Sequence, residues 1–197
     1  MGRTGLVLIA FLMAGCSQTV WGPGPVVSTA PVQEPTKRLG WSAGGFSFQP
    51  QAEFQIRARV LSIKWYPARD PTSGFAPVDF ALGWGPMSDD QVLDRLEISQ
   101  SGRWYRYTWG PEGPPVSVVS IVGTSANMHL SPASPEVRDV LKNVREGDVV
   151  VLQGVLVDVK APTGRWWKTS RSRTDTGAGA CEIVWVDRAQ REPAPRR

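Results

Sequence analysis

Val144 to Lys160 reads VREGDVVVLQGVLVDVK, and the architecture follows from it. Gly147-Asp148 supplies a turn, and apolar or β-branched residues then run on for about ten positions. Val149, Val151, Val155, Val157 and Val159 share one face of an extended chain, and Val150, Leu152 and Leu156 share the other. A strand that is apolar on both faces is buried on both. Gly154 falls in mid-run, where a sheet bends sharply or bulges. β-Branching and two glycines argue against a buried helix. The stretch therefore predicts the central strand of a small curled sheet or barrel.

The elements around it fit that plan. Ser134-Pro135 opens a helix: serine caps, proline takes the first turn and Glu136 sits at the positive end of the dipole. Val137, Val140, Leu141 and Val144 then form one apolar stripe. Gln51 to Ile63 alternates Phe54, Ile56, Ala58 and Val60 with Gln55, Arg57 and Arg59, which predicts a strand. At Leu61 and Ile63 the apolar set changes face, so a bulge is expected there. Val78 to Trp84, Ile98, Trp104 to Trp109, the β-branched run Val116 to Val122 and the closing CEIVWV of Cys181 to Val186 add further strands. Ser88 and Gln91 fit a capping box for a short helix whose apolar face is Val92, Leu93 and Leu96.

The expected fold is mainly β: a small OB-like curled sheet or barrel with one or two short helices, near residues 89–95 and 135–144. REGDVVVLQGVLVDV resembles the strand that follows the connecting helix of OB barrels. A three-layer α/β fold is the competing architecture. The chain also resembles a group of uncharacterised bacterial proteins that share SANMHL (Ser125 to Leu130) and DTGAGACEIVWV (Asp175 to Val186). That likeness implies no activity.

A chain of 197 residues has room for one ordinary domain plus tails. Residues 1–16 read MGRTGLVLIAFLMAGC: a positive residue, an apolar run too short to span a bilayer, then small residues before Cys16. This resembles the signal peptide and lipobox of bacterial lipoproteins, in which the cysteine is lipidated, although Met13 stands where leucine is commoner. A plain signal peptide is the alternative. The likeness implies membrane attachment through a lipid on Cys16. Ser17 in place of aspartate points to the outer membrane, with the domain facing the periplasm. Residues 17–45, rich in Pro and Gly, are expected to be a tether, 46–188 a single β domain, and 189–197 a disordered tail. With Cys16 given to the anchor, Cys181 is the only thiol left, and no internal disulfide forms.

The charge of +4 is too small to name a partner. The most pointed surface motif is GRWWKTSRSR, Gly164 to Arg173, which carries Arg165, Lys168, Arg171, Arg173, Trp166 and Trp167 and no acid. Basic residues interleaved with rings suit anionic polymers or glycans. Exposed Arg57 and Arg59 were expected to extend that binding face, with one of the two tryptophans anchored in the core. An envelope protein, a glycan or an anionic lipid fits the location, and nucleic acid does not. Asp175-Thr176-Gly177-Ala178 matches the DTGA string of aspartic proteases, but those enzymes need two such aspartates, and one copy is present. His129, the only histidine, forms a thiol–imidazole pair with Cys181 only if the fold brings them together. No zinc set, phosphate loop or dinucleotide fingerprint is found, so no cofactor or metal is expected. The leading expectation is a membrane-anchored, non-catalytic binding or assembly lipoprotein of the cell envelope. The alternative is an envelope hydrolase using Cys181 with His129, or Asp175.

Overall fold

The computed structural model describes residues 21–195. The signal and lipobox expectation, Cys16 included, lies outside the described residues. In chain order the elements are β1 (Val32–Glu34), β2 (Trp41–Ala43), β3 (Phe46–Trp65), β4 (Val78–Gly83), a 3-10 turn (Gly85–Ser88), α1 (Asp90–Leu93), β5 (Leu96–Ser101), β6 (Trp104–Trp109), α2 (Val118–Gly123), β7 (Ser125–Pro132), α3 (Pro135–Asn143), β8 (Val149–Lys160), β9 (Trp166–Trp167) and β10 (Glu182–Glu192).

The chain is mainly β. Its strand order β3-β4-β7-β10-β8 returns to β3, which closes a five-stranded barrel. Among the described residues only β7 and β10 pair in parallel, and α3 connects β7 to β8. That is an OB-like arrangement. Closure depends on β3, which is 20 residues long. Its first part, Ser47 to Arg59, pairs with β8, and its last part, Arg59 to Trp65, pairs with β4. The register shifts between Val60 and Ser62, as the face change at Leu61 predicts, and again beside Pro50. Bulges of this kind let one strand coil through two pairings. Across from Gly154, β10 shifts register between Val186 and Arg188.

Apolar alternation fills the barrel with Phe54, Ile56, Phe80, Leu82, Met128, Leu130, Leu152, Leu156, Val184 and Val186. β8 is buried on its other face as well. There Val155, Val157 and Val159 meet Phe46, Phe48, Phe75 and Ile183 in a second cluster, edged by Trp41, Trp167 and Trp185. The two-faced reading of the central strand is thus borne out. α3 forms as its capping residues predict: Ser134 accepts from the Val137 amide, and Val137 and Leu141 are buried.

Several local expectations change. Among the described residues there are three α-helices where one or two were expected. The run Val116 to Val122, expected as a strand, forms α2 instead. Ser117 caps it by accepting from the Ser120 amide, and that local bond outweighs the β preference of a short valine run. Asp89, not Ser88, caps α1. The Ser88 hydroxyl instead donates to the Gly85 carbonyl (2.7 Å) and accepts from the Val27 amide (3.0 Å).

That last contact belongs to a strap. Within the expected tether, Trp21 donates its ring N–H to the Gly147 carbonyl (2.7 Å) and its amide to Asp90 (2.7 Å). Val27 is buried, and β1 pairs with β3. The expected boundary at 188 also moves, because β10 continues to Glu192. Beyond it the Ala194 amide donates to Asp148 (3.0 Å), which Arg191 also engages (2.6 Å). No helix among the described residues is long and apolar enough to cross a membrane.

Candidate functional site

Inward-facing Val78, Phe80 and Leu82 of β4, and Met128 and Leu130 of β7, leave Asp79, Asn127 and His129 on the outer face of the barrel. Asp79 and His129 are direct cross-strand partners, so their side chains meet. The Nδ1 of His129 lies 2.8 Å from Asp79 Oδ1. On the other flank β10 runs parallel, with Glu182 level with Met128, which carries Cys181 alongside Asn127. Asn127 Nδ2 lies 3.7 Å from the Cys181 sulfur, and that sulfur lies 3.9 Å from the Arg103 carbonyl oxygen.

The outer face of these strands is where OB barrels bind ligands. Here the β5–β6 hairpin covers it, and the tip of the hairpin inserts Arg103. The backbone of Arg103 sits at φ 71, a left-handed conformation rare for a side chain of this size. Its guanidinium donates to Asp79 (2.7 Å), to Asp70 (3.0 Å) and to the Ala76 carbonyl (2.8 Å), and it stacks on the Tyr66 ring at 3.4 Å. Tyr66 donates its hydroxyl to Asp79 (3.0 Å). Asp79, which is fully buried, thus has four partners, with the Asn127 amide at 3.5 Å as the fourth, and two of them are cationic when His129 holds its proton. Burial alone would lower the pKa of His129. The hydrogen bond to Asp79 more than reverses this, with the nearby Cys181 adding to it, and raises it to about 9.

At the rim, where β7 and β10 begin, is a cavity of about 230 Å³. The rings of Trp84, Trp104, Tyr105 and Tyr107 wall it, and Asn127, Cys181, Glu182 and Arg173 supply polar atoms. Glu182 is 1% exposed. Its Oε1 pairs with Arg173 Nη1 at 2.5 Å, while its Oε2 has no hydrogen-bond partner. Burial raises the Glu182 carboxyl to about pKa 7, with Arg173 opposing.

These two groups make stability depend on pH in one direction. His129, with its folded pKa above the unfolded value near 6.5, contributes stability that is fully present below pH 6.5 and lost as pH rises through 9. At about 1.4 kcal/mol per pH unit the loss is on the order of 3 kcal/mol. Glu182 acts the same way lower down: from about pH 4.5 to 7 the folded state keeps a proton that the unfolded chain releases. Calorimetry should therefore show the melting temperature falling from pH 5 to pH 9.5, with the upper part of the fall absent in His129→Gln.

The residues singled out by sequence are dispersed. Arg59 is not exposed as expected: it is 5% exposed, because the Ser88–Asp90 segment and the strap cover it, and it donates to the Ser88 carbonyl (3.1 Å) and pairs with Asp90. Arg57 pairs with Glu192 at 2.6 Å. Trp166 and Trp167 divide as an extended chain requires. Trp167 packs on Phe75 (5.5 Å), and Trp166 is 39% exposed. Arg165 lies over Trp167 at 4.7 Å. Lys168 and Arg171 are exposed. Of the six residues in the basic loop only Arg173 reaches the cavity, with Asp175 beside it accepting from Ser170 (2.6 Å). Sequence reading missed Asp79, Arg103, Asn127 and Glu182. Two of them left a signal: Asp79 in VDFALG and Glu182 in CEIVWV are acids inside apolar strands.

Comparison with protein-family models, curated proteins and solved structures found no match.

Proposed function

We propose that this chain is a lipid-anchored lipoprotein of the bacterial cell envelope. On this reading it sits in the outer membrane, faces the periplasm and binds the end of a glycan in the rim cavity. The observation that carries the binding reading is the cavity itself. Four aromatic rings around a small space stack on a sugar ring, and the unpartnered oxygen of Glu182 accepts from a hydroxyl. Glu182 and Asp175 at its wall disfavour an anionic lipid there, and the space is far too small for a protein interface. The anchor rests on the layout of residues 1–16.

Soluble cell-wall glycan fragments test the cavity. At a hundredfold over Kd they should stabilise the protein by about 2.7 kcal/mol, read as a rise in melting temperature. Trp104→Ala with Tyr107→Ala should abolish the rise. No rise at millimolar fragment would remove this ligand class. Cys16→Ser should release the protein from the membrane fraction, and an unchanged fractionation would sink the anchor.

One observation favours a second reading, an envelope enzyme: the parallel register of β10 on β7 sets Cys181 and His129 on the same outer face of neighbouring strands. The same reading through Asp175 has no comparable support, since its partner is the Ser170 hydroxyl on the rim loop.

A further inference from the structure

We propose that the rim cavity is the inner end of a longer glycan site: the row of rings Tyr105, Tyr107 and Trp109 on β6 carries an extended, uncharged sugar chain out of the cavity to a second subsite at the base of the β5–β6 hairpin. This deepens the glycan reading above and rests on it.

The row follows from the alternation of one strand. β6 reads WYRYTW, four rings in six residues. Side chains two apart on a strand share a face, so Tyr105, Tyr107 and Trp109 stand in line. Their ring centroids are 5.6 Å and then 6.2 Å apart. Tyr105 and Tyr107 line the cavity. The Tyr105 hydroxyl lies 3.4 Å from that of Ser125, which fixes this end of the row against the barrel. At the other end Trp109 is 38% exposed, with its ring within 25° of parallel to Tyr107. The aromatic surface thus continues from the cavity wall into solvent, and contiguous exposed apolar surface marks a place that something covers. Each step along it is comparable with the length of one sugar unit, so successive sugars of an extended chain meet successive rings.

Trp109 also walls a second depression, of about 370 Å³, edged by Asp94, Arg95, Glu97 and Glu112. Contacts within this edge are long. Arg95 stands 4.0 Å from Glu112, and the Thr108 hydroxyl lies 3.3 Å from Glu97, so the polar atoms stay open to a ligand. An indole with carboxylates and a guanidinium around it suits a sugar: the C–H face of the ring packs on the indole, while hydroxyls donate to the acids and accept from Arg95. The same edge argues against other occupants. Three acids to one arginine repel an anionic bilayer or polymer, and charged groups spread through the depression do not make the apolar centre of a protein interface. An uncharged sugar chain meets neither objection.

The test titrates the full chain with N-acetylglucosamine and with its β-1,4-linked tetramer, read by isothermal titration calorimetry. The tetramer should bind at least ~10-fold more tightly than the monosaccharide, the usual worth of one well-placed aromatic contact. That comparison needs no variant to fold. Trp109→Ala should bring the tetramer down to the monosaccharide's affinity, and Trp109→Phe, which keeps a ring, should restore most of the difference. Trp166→Ala is the control: it removes an equally exposed ring, 39%, in the basic loop and should leave the tetramer's affinity as it was. A tetramer bound no more tightly than the monosaccharide would overturn the longer site and leave the cavity reading standing. Binding of neither sugar would overturn both. A tetramer affinity unmoved by Trp109→Ala, or lowered equally by Trp166→Ala, would also overturn the proposal. If Trp109→Ala then released Cys16→Ser protein from phosphatidylethanolamine–phosphatidylglycerol vesicles, the row would be a membrane contact instead.

Discussion

Gly154→Ala should yield no soluble protein. A methyl group added there meets the Trp185 carbonyl oxygen at 1.9 Å and its carbon at 3.0 Å, with the Asp187 amide at 3.2 Å. All three are backbone atoms of β10, and Gly154 also pairs with Phe54 of β3. Neither neighbour can retreat without opening the barrel, since β8 is the strand that joins β3 to β10. Close-packed interiors transmit such strain and do not absorb it. The expected loss exceeds about 4 kcal/mol, beyond the range of ordinary substitutions. Gly110→Ala is the matched control. Nothing lies within 4 Å of its added carbon, and its stability should stay within about 0.5 kcal/mol of the parent. Soluble yield and urea denaturation of the two variants decide the matter. A folded Gly154→Ala variant of near-parental stability would contradict the closed barrel.

Asp79→Ala should cost about 3–5 kcal/mol, the usual penalty for removing one partner of a buried ion pair. The carboxylate is fully buried and holds Arg103, His129 and the Tyr66 hydroxyl. Without it two positive groups face each other under the hairpin with only Asp70 between them and excess charge. Arg103 also loses the bond that holds its backbone at φ 71. The hairpin should therefore loosen before the barrel does. Hydrogen exchange would show this as faster exchange of β5 and β6 amides at a pH where β3 and β8 stay protected. Equal acceleration in all four strands would mean that the ion pair supports the barrel and not its cover.

The barrel was legible in the sequence where one strand carried its own burial pattern. Val149 to Val159 announced two buried faces, Gly154 announced a bend or bulge, which lies across from it in β10, and Ser134-Pro135 announced a helix start. Each of these is a local signal. Val116 to Val122 misled for the same reason: its β-branching is local, but so is the Ser117 cap, and the cap won. The site was far less legible because register creates it. Asp79 and His129 are 50 positions apart and meet through the β4–β7 pairing. His129 and Cys181 were named as a pair, yet only the parallel register of β10 on β7 sets them on one face of neighbouring strands. Arg103 offered no cue at all, since a basic residue at a hairpin tip is most often solvated. Arg59 looked exposed by alternation, and the Ser88–Asp90 segment folded over it.

The strap changes the mechanics of attachment. Both ends of the described chain are fastened at one turn: Trp21 on the Gly147 carbonyl, Ala194 and Arg191 on Asp148. If Cys16 carries the lipid, as proposed, the chain between the anchor and the first fastened residue is not some thirty residues but the five steps from Cys16 to Trp21. At about 3.5 Å per step that is a reach of roughly 17 Å. A barrel on so short a leash cannot roam the periplasm. It would ride close to the bilayer with the Gly147-Asp148 turn nearest the lipid, at nearly fixed height and tilt. Its catch would be limited to what comes within that shallow layer, and lengthening residues 17–20 would widen the layer without altering the barrel.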